Sequence, residues 1–143
     1  MSMLVSSLVF VALLAVSVAH FLWSLGRTWP IRNEKLLAQT VVGTRDIERM
    51  PPRLASFAVS IATLAAGILA LSLADHDAGG LWLTLLGLIP AAVFLARGIV
   101  GYTPWWAQRT PEPNFRLNDA RVYSPLCIAL GLGFLVLVAL RLA

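Results

Sequence analysis

Charge is scarce in this chain: only 13% of its 143 residues are charged, whereas 59% are hydrophobic and the mean hydropathy is +0.81. A soluble domain carries about 25% charged residues and roughly 45–50% apolar ones. That shortage excludes an ordinary soluble globular protein, and the surplus of apolar residues excludes a disordered chain. Cysteine is almost absent, with Cys127 alone, so neither a disulfide framework nor a CxxC redox pair is available. Missing too are a phosphate-binding GxxxxGK[ST] loop, an HExxH helix, a GxSxG elbow and a dinucleotide fingerprint. No reaction is legible, no cofactor is expected, and no metal site is expected.

Apolar length is what the chain does have. Four stretches, about residues 4–25, 54–74, 79–102 and 122–140, reach the roughly 20 residues that cross a bilayer core. Apolar and polar residues do not alternate with period two, which argues against a transmembrane barrel. The sequence therefore predicts an all-α integral membrane protein, a single domain folded as an antiparallel four-helix bundle. The isoelectric point of 10.2 does not point to nucleic acid, because the bases sit between apolar runs, where they set orientation. Arg27, Arg32, Lys35, Arg45, Arg49 and Arg53 follow the first span, and Arg97, Arg109, Arg116 and Arg121 close or follow the third. The connection between spans two and three has Asp75 and Asp77 and no base, and the C-terminus has only Arg141. Ten of the eleven bases thus share one side. Both termini are expected outside and both long loops in the cytoplasm. Ser17-Val18-Ala19 resembles a signal-peptidase site, but the segment before the apolar run lacks positive charge, so the first span is expected to stay.

Lipid tails supply no hydrophobic drive between helices, so small residues mark the contacts. Ser56, Ser60, Thr63, Gly67, Ala70 and Ala74 recur every three or four residues along span two. This stripe is a helix interface, and one candidate use is docking of a second copy. Span three offers Gly87, Ala91, Gly98 and Gly101, and Pro90 is expected to kink it. The short outer connection predicts a hairpin of spans two and three. Asn33 is placed to cap a short interfacial helix over residues 36–42. Phe115, Asp119 and Tyr123 fall on one face of a helical lead-in to span four. Ser124-Pro125 reads instead as a cap and a first-turn proline, so a kinked junction is expected there.

Polar and aromatic residues crowd the basic end. Trp23, Trp29, Tyr102, Trp105, Trp106 and Tyr123 lie there, against Trp82 at the other end. His20, Arg97, Asp119, Ser124 and Cys127 join them. An ionisable side chain within a span is a candidate functional group whose partner should be named, and for Arg97 that partner is Asp119. The plainer reading of Arg97 is snorkelling, or a pair that only sets helix geometry. The functional one is a guanidinium gripping phosphate or carboxylate. His20 reads first as a hydrogen-bonded packing residue and second as a proton donor or acceptor. Cys127 is a small buried hydrophobe. Asp75-His76-Asp77 is a solvated turn, and His20 and His76 fall at opposite faces, so one subunit cannot ligate haem through both.

The runs His20-Phe21-Leu22-Trp23 with Trp29-Pro30, Arg97-Gly98-Ile99-Val100-Gly101-Tyr102, and Phe115…Asp119…Tyr123-Ser124-Pro125-Leu126-Cys127 resemble the family filed as domain of unknown function 3995. Those are small four-span bacterial membrane proteins, and the resemblance covers nearly the whole chain, the pair Trp105-Trp106 having no place in the pattern. It implies the topology above in a bacterial inner membrane, marks the polar basic end as the family's signature, and implies no activity.

The expected function is binding or transport of an amphipathic or anionic ligand, a membrane lipid among them. Its pocket is expected near the cytoplasmic interface, lined by Arg97, His20, Asp119, Tyr102, Tyr123 and Trp23. The competing expectations are an assembly subunit of a membrane complex and an enzyme acting on a lipid or isoprenoid, with His20 or Asp119 as acid or base. A monomeric pore is least supported, since no span carries polar residues through the midplane.

Overall fold

The computed structural model describes residues 1–143 as an all-helical chain. Four long helices, α1 (Ser2–Ser24), α3 (Arg53–Ala74), α4 (Gly80–Val100) and α7 (Ser124–Leu142), supply the four spans. Three short ones, α2 (Glu34–Val41), α5 (Pro104–Arg109) and α6 (Pro113–Asn118), are gathered at the basic end. Large apolar side chains point outward along every span, as Leu8, Ile61, Ile89 and Leu132 do. A folded protein turns leucine and isoleucine outward over such lengths when the surroundings are hydrocarbon rather than water. This is the architecture of a multi-pass membrane protein.

The bundle is built from two tight pairs, α1 with α3 and α4 with α7, which meet mainly along α1 and α7. The predicted hairpin of spans two and three is present in the connectivity, but α3 and α4 touch only sparsely. The small-residue stripe explains why. Ser60 sits against Ser17 of α1, each hydroxyl donating to the other's carbonyl at 2.8 and 2.9 Å. A Cβ on Gly67 would stand 3.1 Å from the Phe10 ring. The face expected to offer a second copy a docking surface is thus covered by α1 of the same chain. In the second pair, Gly98 lets α4 approach the backbone of α7. A Cβ there would come within 2.9 Å of Ser124 O and Ile128 N.

Between the pairs lies a core of Val9, Leu13, Ala70, Leu73, Ala91, Leu130, Phe134 and Leu137. Phe94 stacks on Phe134 with the ring centroids 6.2 Å apart. Helix α4 runs through Pro90 as one element. At the far end, Arg141 of α7 reaches across the α3–α4 turn and donates to the carbonyls of Leu73 (3.4 Å), Asp75 and Ala78 (2.6 Å), and to Thr84 Oγ1 at 3.0 Å. A helix leaves its last carbonyls without amide partners, and Arg141 supplies them here.

Candidate functional site

The lead-in to span four positions the centre of the basic end. Pro113 occupies the first turn of α6, where its missing amide costs nothing. From there the chain runs through a π-helical turn at Asp119–Tyr123 into α7. This turn is the observed form of the expected kinked junction. The Ser124 amide bonds to Asp119 O, five residues back, so Ser124 is inside the helix rather than its cap. Continuing that pattern would pair Ala120 O with the amide that Pro125 lacks. The Tyr102 hydroxyl takes that carbonyl at 3.0 Å. A wider turn keeps Phe115, Asp119 and Tyr123 on the inner face, with Phe115 and Asp119 fully buried and Tyr123 half-buried.

Asp119 is the hub. Its Oδ1 accepts from Arg97 Nη2 at 2.7 Å and from Ser124 Oγ at 3.1 Å, and its Oδ2 accepts from Trp106 Nε1 at 3.0 Å. Arg116 Nη1 stands 3.7 Å from Oδ2 and also donates to Gly101 O at 3.4 Å. The Arg97 guanidinium lies over the Trp106 ring, 4.8 Å from its centroid, and Nη1 reaches Ser124 Oγ at 3.4 Å. The expected Arg97–Asp119 pair is therefore present within a larger network. Its chemistry is cohesive: a carboxylate with no exposed surface and its acceptor positions filled offers no open side to a reactant.

Tyr123 ties this network to the rest of the chain. Its hydroxyl donates to Thr40 O of α2 at 3.1 Å, and its ring lies 5.8 Å from Phe115. Phe115 in turn fills the space where a side chain at Gly43 would stand, and Gly43 has a φ of +75°. Only glycine serves at that point.

His20 and Trp23 belong to a different wall. His20 Nδ1 bonds to Val16 O at 2.9 Å, and its ring lies 4.7 Å from that of Trp23. Trp23 Nε1 donates to Trp29 O at 2.6 Å, which folds the chain back after α1. Both residues line a cleft of about 130 Å³ between α1, α2 and the start of α3, with Val42, Met50, Ala55 and Val59 completing its apolar walls. Beside it lies a second cavity of about 260 Å³, bounded by Arg27, Thr28, Glu34 and Arg53. The two share Trp23, Met50 and Pro51. Neither Arg27 nor Arg53 has an ion-pair partner, and the Arg53 guanidinium lies over Gly26.

The six residues singled out in the sequence thus divide. Arg97 and Asp119 meet directly, Tyr102 and Tyr123 brace the backbone around them, and His20 and Trp23 face a separate cleft. Trp106 and Arg116 of the network, Arg27 and Arg53 of the mouth, and Arg141 were not singled out. Trp106 belongs to the tryptophan pair that had no place in the family pattern. Thr103 gives the clue to its position, because its hydroxyl accepts the Trp106 amide at 3.3 Å and starts α5.

No curated protein and no solved structure matches the chain. The model of a family described as protein of unknown function (DUF3995) matches residues 13–134. That stretch takes in the larger part of every apolar helix and all of the Asp119 network, and the chain belongs to the DUF3995 family.

Proposed function

We propose that this protein is a membrane-embedded binding module for an amphipathic anion. The anionic end of the ligand sits at Arg27 and Arg53, and the apolar part lies along Trp23, Met50 and Val59. The observation that carries this reading is the adjacency of the two cavities, which share Trp23, Met50 and Pro51 as a common wall. One is walled mainly by apolar side chains, and the other opens beside two arginines with no carboxylate at ion-pair distance, Glu34 of the same wall accepting the Met50 amide instead. Ligand sites are concave and largely apolar, with few polar groups to fix orientation, and arginine binds phosphate or carboxylate through a fork of donors. Arg97 has the same chemistry, but Asp119, Ser124 and Trp106 engage it. Its part is to hold the end of the bundle in shape.

The test is native mass spectrometry of protein released from nanodiscs of phosphatidylglycerol or of phosphatidylcholine. The wild type should carry a one-to-one adduct from the anionic discs. The adduct should fall at least tenfold in the Arg27→Ala, Arg53→Ala double variant, two charge-assisted hydrogen bonds being worth that much. Loss in Arg97→Ala with full retention in the double variant would transfer the anion site to the Asp119 network. A bare protein from both kinds of disc would overturn the binding reading.

A further inference from the structure

A carbonyl oxygen only accepts hydrogen bonds, so the bond between His20 Nδ1 and Val16 O places the ring proton on Nδ1. The atom left over is Nε2, a lone pair with no partner. Every polar side-chain atom sealed from the surface is hydrogen-bonded, so Nε2, which is not, has to be open. The residue lines the largely apolar cleft, where Val42, Met50, Ala55 and Val59 surround it and the Ser56 hydroxyl is the other small polar group. An acceptor of this kind in an apolar wall discriminates among ligands, because it rejects those that bury it without donating to it.

The position of the charge narrows the ligand further. The Arg53 guanidinium lies over Gly26, six residues beyond His20. Helix α1 ends at Ser24, so His20 lies about one turn, roughly 6 Å, inside the helix end and Gly26 just past it. A phosphate held by Arg53 and a donor held by Nε2 each use a hydrogen bond of about 3 Å. The donor and the phosphate thus meet adjoining cavities, with Trp23, which lines both, between the two positions in the chain.

We infer that the groove prefers, among phosphate-bearing amphipaths, those with a free hydroxyl near the phosphate, the hydroxyl donating to His20 Nε2 and the phosphate lying between Arg27 and Arg53. The inference rests on the groove being the ligand site proposed above. It adds the class of ligand and the residue that chooses it. His20 is here a specificity residue, and no reaction is assigned to it.

The experiment titrates the purified protein in detergent with two probes, monooleoyl glycerol phosphate and oleoyl propanediol phosphate, which differ only in the hydroxyl. Binding is read by tryptophan fluorescence, since Trp23 lines both cavities. The wild type should bind the hydroxylated probe about three- to tenfold more tightly, the range expected of one neutral hydrogen bond. His20→Phe should abolish the difference, and His20→Gln, which puts an amide oxygen near the place of Nε2, should restore part of it. Circular dichroism of both variants shows whether the helices persist. Equal affinity of the wild type for both probes overturns the hydroxyl inference and leaves the groove as an anion site. Binding of neither probe overturns the groove itself.

Discussion

Truncating Asp119 to alanine would leave Arg97 and Arg116 facing one another where a carboxylate now satisfies both, and would strip Trp106 Nε1 and Ser124 Oγ of their acceptor. Removing one member of a buried ion pair costs about 3–5 kcal/mol, because the other charge is left uncompensated. Asp119→Ala should therefore lower the melting temperature in detergent more than Arg97→Ala, since Arg97 is 29% exposed and its carboxylate would keep Arg116. In the Asp119→Ala, Arg97→Ala double variant the loss should be smaller than the sum of the two single losses. Additive losses would mean that the two side chains act separately. Trp106→Phe keeps a ring beneath Arg97 and loses one charge-assisted donor, so about 1–2 kcal/mol is the expected cost in the same assay. The Arg97–Asp119 pair was legible in the sequence because an intramembrane arginine calls for a counter-charge and one carboxylate stood at the right depth. Trp106 was not, since an aromatic at a membrane interface needs no partner and the turn that brings it back is tertiary.

At the scale of the helices, close approach and capping divide the work. Gly131 of α7 packs so near α4 that a Cβ would come within 2.9 Å of Leu95 N, a backbone atom that cannot swing aside. Gly131→Ala should cost about 1–3 kcal/mol by wedging the pair apart, as overpacking does. Gly80 has open space around it and a φ of +52°, so Gly80→Ala should cost about 1 kcal/mol through backbone strain alone. Unfolding in increasing denaturing detergent separates the two: Gly131→Ala should be the weaker variant, and the reverse order would place the close contact elsewhere. Arg141 gives a sharper local test. Without its guanidinium the carbonyls of Leu73 and Ala78 lose the donor it supplies, and Asp75 O keeps only the Ala78 amide at 3.4 Å. Hydrogen exchange in Arg141→Ala should accelerate over residues 74–83 and stay unchanged around Asp119. The four apolar stretches coincide with α1, α3, α4 and α7, every helix end lying within two residues of them, because apolar length is what a bilayer demands. Sequence also placed the α2 cap, where Asn33 Oδ1 accepts the Leu36 amide at 2.9 Å. It could not place the π-helical turn, because two patterns, Phe115-Asp119-Tyr123 and Ser124-Pro125, demanded different backbones. An inserted residue's worth of turn reconciles them.

For the whole molecule, periodicity found the interface stripe on α3 but not its partner, since small residues signal close approach without saying to which helix. The answer, α1 with α3 and α4 with α7, puts the groove inside the first pair and the Asp119 network beside the second. Thr40 to Tyr123 and Gly43 to Phe115 join the two at the basic end. Orientation then decides which leaflet the groove meets. Ten of the eleven bases lie at that end, and on the positive-inside rule we predict that it faces the cytoplasm. The prediction is checked with single cysteines on a Cys127→Ala background, at the exposed positions Asp77 and Arg49. A membrane-impermeant maleimide should label Asp77→Cys in intact cells and Arg49→Cys only after permeabilisation. The opposite pattern would open the groove to the outer leaflet. Its arginines would then face away from the anionic lipid that the cytoplasmic leaflet supplies, and an external amphipath would replace a resident one as the ligand to seek.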